Sequence, residues 1–386
     1  MKRGHLCRAT EEQFLLLQAA LQSGEAALLA SREWRVRVNL DAVDAPSFAV
    51  LPLLYHNLRA LGVEDPDMGR LAGVARNTWA GNQLALRAGT SALAALRDAE
   101  IDALVVDGAA LSRLQYGDLR LRRLSGFDIL VHLCDAERAT GALSAAGWRM
   151  EPLYPACDDV IAFRDSARFD DSNGQAVMLW WRLWAGAGQD DEAETWSSAR
   201  DITVNELTAR ALGPTDLLLR ACAGLHRWGR ERSLLWVADG LAILRAANAE
   251  VDWDRLARQA RRLGLSLPTA EALTCLAETF DAPVPADALK ELWEAPHSSS
   301  ERILWKLNAE TGEVWGGLPL ALHRYGQLTQ GRGIVERALM FPRYLQCVWN
   351  LRNVWQVPLH ALRRGIQVLA HRRTGRSEPH RSAKVT

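Results

Sequence analysis

The stretch from Leu104 to Val131 constrains the fold of this chain more than any other part of its sequence. It begins with Leu104–Val106, a short apolar and β-branched run that indicates a strand, and Gly108 follows in a turn. The residues after the turn can open a helix. A second apolar strand, Phe127–Val131, carries one carboxylate, Asp128. The stretch therefore predicts a strand, a glycine turn, a helix, a loop and a second strand next to the first.

A glycine turn that enters a helix, followed by an acidic strand, is suited to nucleotide binding. Backbone N–H groups at the start of a helix can hold phosphate groups. Gly108, Ala109 and Ala110 are therefore the candidate nucleotide-binding residues, with Asp107 beside them. A strand carboxylate can hold Mg²⁺, which makes Asp128 the candidate metal ligand and a candidate catalytic residue. The pattern predicts a nucleotide site between the turn and the second strand.

The same stretch resembles the large, mostly uncharacterised nucleotidyltransferase family of the DNA polymerase β-like superfamily. Its members carry a strand that ends in Lys-Gly-x-Ala-Leu, then an aromatic residue, an Arg and an Asp-Ile-Asp-Leu-Leu-Val strand. The matching positions run without a gap from Asp107–Leu111 through Tyr116 and Arg122 to Gly126–Val131. The resemblance implies an α+β fold, with a small mixed β-sheet core flanked by N- and C-terminal helical regions. It also makes Arg122 a candidate catalytic residue.

The chain departs from the family pattern at three charged positions. The family's Lys is Asp107 here, the first Asp of its acidic pair is Gly126, and its third carboxylate, on a neighbouring strand, is Met178. Only Asp128 remains of the three carboxylates. One carboxylate together with substrate phosphates can still hold Mg²⁺, so we expect weak Mg²⁺ binding that depends on nucleotide. At about 1.4 kcal/mol per tenfold in rate, losing metal-based charge stabilisation predicts a loss of thousands-fold or more.

Two later segments also resemble the family and suggest a substrate pocket. One is the strand motif at 178–183, and the other is a helical pair that contains His226 and Asp239. Polar side chains on apolar helices need partners when they are buried, so these two residues either pair within the core or line a pocket. The candidate substrate-pocket residues are Tyr116, Trp181, Arg182, His226 and Asp239.

Helix-period apolar patterns lie on both sides of the core. Within the core, Ile161–Phe163 and Val177–Leu183 are predicted to form a β-hairpin. The predicted organisation is a helical region at residues 1–97, an α/β core at 98–200, a helical domain at 201–362 and a basic, disordered tail at 363–386.

Composition excludes several classes of protein. The 46 basic and 46 acidic residues give a formal net charge of zero, so specific nucleic-acid binding is not expected. No lysine lies between Lys2 and Lys290, so the central region cannot supply a P-loop or Schiff-base lysine. The six cysteines form no Cys-x-x-Cys pair, and we find no signal peptide. We therefore expect a cytoplasmic protein with reduced thiols.

The region before the basic tail mixes aromatic and aliphatic residues with arginines. It fits either a terminal helix that docks on the protein or a helix that lies on a membrane surface. We favour docking, because Pro342 and Pro358 interrupt the amphipathic pattern.

Two hypotheses from different functional classes follow. The first is an enzyme that uses a nucleoside triphosphate or nucleotide-sugar to modify a peptide, sugar or small-molecule acceptor. The resemblance implies bacterial natural-product or polysaccharide biosynthesis. The second is a catalytically impaired relative that binds a ligand or a partner protein as an accessory factor. Gly126 and Met178 favour the second hypothesis, whereas Gly108, Arg122 and Asp128 keep the first open.

Overall fold

A computed structural model describes most of the 386-residue chain. The described residues are 9–152, 159–184, 189–224, 233–246, 250–311, 317–329 and 332–363. The chain divides into two compact units. One comprises Met1–Glu151 and Asp165–Glu310, and the other comprises Pro152–Arg164 and Thr311–Thr386.

The first unit begins with helices. Thr10 caps the first of them, since its hydroxyl accepts a hydrogen bond from the Gln13 backbone N–H and the Gln13 side chain returns one to Thr10. The fifth helix, Met68–Asp98, is the longest of these, and its buried face packs against the sheet. The helices are α1 (Glu11–Leu21), α2 (Gly24–Arg37), α3 (Ala45–Phe48), α4 (Leu51–Ala60) and α5 (Met68–Asp98).

A mixed sheet of seven strands lies at the centre of this unit, in the order β3-β4-β5-β2-β1-β7-β6. β1 pairs antiparallel with β2, which confirms the two predicted neighbouring strands. β2 pairs parallel with β5, and Asp128 lies opposite Met178. The predicted α+β class is therefore confirmed. The strands are β1 (Ala103–Val106), β2 (Phe127–Val131), β3 (Arg149–Met150), β4 (Ser166–Asp170), β5 (Ala176–Trp180), β6 (Arg200–Val204) and β7 (Leu207–Ala211).

A glycine lets α5 approach the central strand closely. A Cβ atom on Gly89 would lie only 2.2 Å from the ring of Phe127, which is fully buried in β2. Any larger residue at position 89 would push α5 away from the sheet. This contact fixes the helix against the strand that carries Asp128.

One sequence prediction about strands is wrong. Ile161–Phe163 belongs to the short helix α8 (Asp159–Phe163), and the hairpin pairs β4 with β5 instead. A short apolar run does not distinguish a strand from a buried helix. In addition, β6 and β7 extend the sheet beyond residue 200, so the predicted boundary of the core falls inside the sheet.

Further helices complete the first unit. α6 (Asp107–Leu111) follows β1 and continues into a π-helical turn, Ser112–Tyr116, which ends at Gly117 with φ +68°. The others are α7 (Ala136–Ala145), α9 (Gln189–Ser197), α10 (Pro214–Gly224), α11 (Leu235–Arg245), α12 (Trp253–Leu263), α13 (Ser266–Phe280), α14 (Ala286–Glu294) and α15 (Ser299–Thr311).

The second unit has a small aromatic core. Phe163, Tyr325 and Tyr344 are buried in it, and the ring centroids of Tyr325 and Tyr344 lie 4.8 Å apart. Its helices are α8, α16 (Gly317–Leu328), α17 (Ile334–Val348) and α18 (residues 356–363). Pro342 lies inside α17 without ending it. Residues 364–386 of the predicted tail lie outside the described residues.

No helix in the described part of the chain is both long and apolar enough to cross a membrane. Among the cysteines, Cys134 and Cys222 carry free thiols. Cys275 is disulfide-bonded. The prediction of reduced thiols is therefore wrong for Cys275.

Candidate functional site

The start of α6, directly after β1, carries the four residues that the sequence singles out for nucleotide binding. Asp107 adopts a left-handed backbone conformation with φ +51°, which is uncommon for a residue other than glycine. Gly108, Ala109 and Ala110 follow it at the start of α6 and are buried. The start of α6 is thus packed inside the protein.

Asp107 is held by an arginine from a distant helix. Arg220, in α10, donates from Nε to Asp107 Oδ1 at 2.5 Å and from Nη2 to Oδ2. Its Nη1 donates to the carbonyl oxygen of Leu183 at 3.0 Å. The side chain of Arg220 is only 6% exposed. This bidentate ion pair neutralises the carboxylate that stands where the family pattern has a lysine.

Aromatic rings and further carboxylates surround the same guanidinium. Its central carbon lies 5.0 Å from the ring centroid of Trp180 and 5.5 Å from that of Trp184, within cation–π range. Burial alone would lower the pKa of Arg220, but the carboxylates of Asp107, Asp128 and Asp165 outweigh it. The pKa is therefore raised, and Arg220 stays protonated.

Asp128 lies on β2 and faces residues of β5. The indole Nε1 of Trp180 donates to Asp128 Oδ1 at 3.0 Å. Met178 lies opposite Asp128 on the paired strand. Gly126 lies two residues before Asp128 in the sequence. A Cβ atom on Gly126 would lie 3.2 Å from the carbonyl oxygen of Ala176, so this position is tightly packed.

The side chains around Asp128 do not fit a two-metal centre. Gly126 and Met178 bring no oxygen ligand, and Trp180 already donates to Asp128. Among the described residues, no group of three or more His, Cys, Asp or Glu is placed to hold a metal ion. The positive charge near Asp128 comes instead from Arg220.

Arg122 forms a second buried ion pair, with Asp239 of α11. Its Nε lies 2.7 Å from Oδ1 and its Nη2 lies 2.8 Å from Oδ2, so the contact is bidentate. The Tyr116 hydroxyl also donates to Asp239 Oδ1, at 2.9 Å. Burial lowers the pKa of Arg122, but the carboxylate of Asp239 outweighs it and the pKa is raised. The structure thus brings three predicted site residues together.

Gly108, at the start of α6, lies next to the guanidinium of Arg122. A Cβ atom there would lie 2.1 Å from Arg122 Nη1. The absence of a side chain at Gly108 therefore lets the Arg122 guanidinium pack against the start of α6 while it pairs with Asp239. This close approach explains the glycine without reference to any ligand.

Asn82, in α5, holds the loop that carries Arg122. Its side-chain nitrogen donates to the carbonyl oxygens of Leu119 and Arg122, both at 2.7 Å, and its Oδ1 accepts from the backbone N–H of Leu124 at 2.8 Å. Asn82 is 1% exposed. The amide therefore fixes both sides of the loop with three hydrogen bonds.

The other predicted pocket residues lie elsewhere. Trp181 and Arg182 line a small cavity of about 80 Å³ between the end of β2 and α9. His132 borders this region, with its ring stacked on Trp196 at 3.8 Å between centroids and its Nδ1 2.9 Å from Glu192 Oε1. His226 lies outside the described residues.

Sequence reasoning missed five residues that build the site: Asn82, Asp165, Trp180, Trp184 and Arg220. Arg220 left a signal, because it interrupts the apolar run of α10 from Leu217 to Cys222. A charge in a buried helix needs a partner, and Asp107, where the family has a lysine, is that partner.

The comparisons with known proteins agree with the fold and the motif. No curated protein matches the chain. The family described as uncharacterised nucleotidyltransferases matches residues 46–281, which is more than half of the 386 residues and includes the whole sheet. This chain therefore belongs to the uncharacterised nucleotidyltransferase family.

Proposed function

We propose that this protein is a catalytically impaired nucleotidyltransferase relative that binds a ligand or a partner protein as an accessory factor. The observation that carries the proposal is the Asp107–Arg220 ion pair. A carboxylate replaces the family's lysine beside the phosphate-binding turn, and the compensating cation, Arg220, is already held by Asp107.

Electrostatics support this reading. A triphosphate carries several negative charges and needs cations to neutralise it during transfer. The positive charge of Arg220 is already offset by the carboxylates of Asp107, Asp128 and Asp165. Arg122 forms a bidentate ion pair with Asp239. To contact phosphate, Arg122 would have to leave the buried carboxylate of Asp239 unpaired, which costs several kcal/mol (about 3–5). Arg220 would have to leave the largely buried carboxylate of Asp107.

The residues around Asp128 point the same way. Two of the three positions that carry carboxylates in the family hold Gly126 and Met178 here. Met178 lies directly opposite Asp128 across the paired strands. Nucleotidyl transfer on this fold relies on metal ions that neutralise developing charge, and a single carboxylate cannot organise a two-metal site.

A second candidate function is a transferase that uses a nucleoside triphosphate or nucleotide-sugar, with Mg²⁺, to modify a peptide, sugar or small-molecule acceptor in a bacterial biosynthetic pathway. One observation favours it. The carboxylates of Asp107, Asp128 and Asp165 all act electrostatically on Arg220, so a displacement of Arg220 would leave three carboxylates without this cation.

A Mn²⁺ titration followed by paramagnetic resonance separates the two. We expect equally weak binding by the wild type and by Asp128→Asn. Gly126→Asp/Met178→Asp should gain a site, because positions 126 and 178 flank Asp128. The matched control is Asp170→Asn, which removes a partly exposed ion pair with Arg168 at the end of β4. Tight binding of two Mn²⁺ ions by the wild type, abolished by Asp128→Asn, would favour the transferase.

A further inference from the structure

The second unit carries exposed apolar side chains along α17. Val335 and Leu339 are each 74% exposed, and Ile334 is 85% exposed. A separation of four residues places Val335 and Leu339 on one helix face. We call these three residues the α17 stripe.

A second stripe lies at α18. Trp355 is 67% exposed, Leu359 is 47% exposed and Leu362 is 62% exposed. Their spacing of four and then three residues is typical of one helix face. We call these three residues the α18 stripe. Each stripe is an outer face of the unit.

The last turn of α17 and part of α18 are already buried. Tyr344, Leu345 and Cys347 of α17 and Val357 of α18 belong to the aromatic core around Phe163. The prediction that this region docks on the protein therefore holds for these residues. It does not account for the α17 and α18 stripes, which lie outside that core and face solvent.

The charge of this part of the chain is strongly asymmetric. Residues 311–386 contain twelve Arg or Lys and three Glu, although the whole chain has 46 residues of each sign. Arg343, Arg352 and Arg363 are exposed in the same segments as the stripes. Among the described residues 317–329 and 332–363, six arginines stand against one glutamate, so this part of the unit combines exposed apolar side chains with an excess of positive charge.

We propose that the α17 and α18 stripes bind the surface of an anionic lipid bilayer. Apolar side chains of an amphipathic helix enter the boundary between headgroups and acyl chains, and arginines beside them pair with anionic headgroups. Trp355 suits this boundary, because indole rings concentrate there. This proposal is independent of the function proposed above for the nucleotidyltransferase core.

The observations favour a bilayer over the other occupants. Nucleic acid would use the arginines but gives no reason for six exposed apolar side chains in two stripes. A second copy of the chain would bring two surfaces of the same positive charge together, which is unfavourable. A bilayer with anionic lipids satisfies both the apolar and the charged groups.

Vesicle flotation with the full chain tests the proposal. We expect the protein to float with vesicles of phosphatidylcholine containing one third phosphatidylglycerol, to float much less with pure phosphatidylcholine, and to be released by salt. Trp355→Ser/Leu359→Ser/Leu362→Ser should lower the bound fraction by roughly tenfold. Val335→Ser/Leu339→Ser is a second, independent variant. The matched control is Leu29→Ser/Val36→Ser/Leu84→Ser, at exposed positions of the first unit.

Three outcomes would overturn the proposal. One is equal flotation, or none, with the anionic and the neutral vesicles. Another is an equal loss of binding in the first-unit control. The third is self-association, or binding to single-stranded RNA, that both stripe variants abolish while vesicle binding remains absent.

Discussion

Arg220 and Asp107 form a bidentate, largely buried ion pair across 113 residues of sequence. The pair places a cation beside the first residue of α6, from a helix that follows the sheet. It also compensates the carboxylate that stands where the family pattern has a lysine. The site is therefore neutralised from within the chain.

Removing the acidic partner should destabilise the fold. We expect Asp107→Asn to lower the free energy of unfolding by about 3 kcal/mol, because Arg220 would remain buried without its main partner. Asparagine tolerates the positive φ of this position. Asp107→Asn/Arg220→Met should recover part of the loss. Urea denaturation measures all three.

The control for this prediction is Asp170→Asn, which breaks the more exposed pair with Arg168. It should cost less than about 1 kcal/mol. If Asp107→Asn and Asp170→Asn lower the free energy of unfolding equally, the Asp107–Arg220 pair contributes no more to stability than a partly exposed ion pair.

Gly108→Ala should displace Arg122. The new Cβ atom would meet Arg122 Nη1 at 2.1 Å, so we expect a loss of about 1–3 kcal/mol from overpacking and a weakened Arg122–Asp239 pair. Gly141→Ala, in an open position of α7, should instead stabilise by about 0.5–1 kcal/mol. Thermal denaturation of both variants checks the sign, and a stabilised Gly108→Ala would contradict the packing described here.

Asn82→Ala should loosen the loop that carries Arg122. The change leaves the backbone groups of Leu119, Arg122 and Leu124 without their amide partner, at a cost of about 2 kcal/mol. Hydrogen exchange at the Leu124 amide should accelerate. Asn57→Ala removes a similar amide that bonds two carbonyl oxygens elsewhere, so it should cost stability without changing exchange at Leu124.

Tyr116 should make stability depend on pH in the alkaline range. Burial, and then the carboxylate of Asp239, raise the pKa of Tyr116 well above its usual value. A raised folded-state pKa stabilises the fold fully below the unfolded pKa of about 10, and the contribution is lost as pH rises above it. The wild type should lose roughly 1.4 kcal/mol per pH unit more than Tyr116→Phe above about pH 10.

Below that range, Tyr116→Phe should cost about 1 kcal/mol, because the hydrogen bond to Asp239 is lost. Denaturation curves at several pH values provide the measurement. If the free energies of unfolding of wild type and Tyr116→Phe instead change in parallel with pH, the folded protein does not raise the pKa of Tyr116, and the prediction is wrong.

The sequence predicted the centre of the fold well because its signals there are local. Apolar β-branched runs bounded by glycine turns defined β1 and β2, and the motif resemblance placed Met178 on a strand next to that of Asp128, as the strand pairing confirms. The prediction of a strand at Ile161–Phe163 was wrong, because three apolar residues are too few to show whether their period is that of a strand or of a helix.

The contacts within the site could not be predicted in the same way. Arg220 reaches Asp107, and Asn82 holds the Arg122 loop, only through the tertiary packing of α10 and α5 around the sheet. Sequence spacing does not encode such contacts. The sequence identified Arg122, Tyr116 and Asp239 separately, and the structure joins them into one ion-pair network.

If the site is catalytically impaired as proposed, nucleotide binding should depend little on Mg²⁺. Calorimetric titration with ATP, GTP, CTP, UTP and nucleotide-sugars, each with and without Mg²⁺, tests it directly in wild type and Asp128→Asn. We expect no binding, or a Kd that Mg²⁺ changes by less than about threefold in both proteins. A Kd that Mg²⁺ lowers by about tenfold or more in the wild type, and leaves unchanged in Asp128→Asn, would contradict the account.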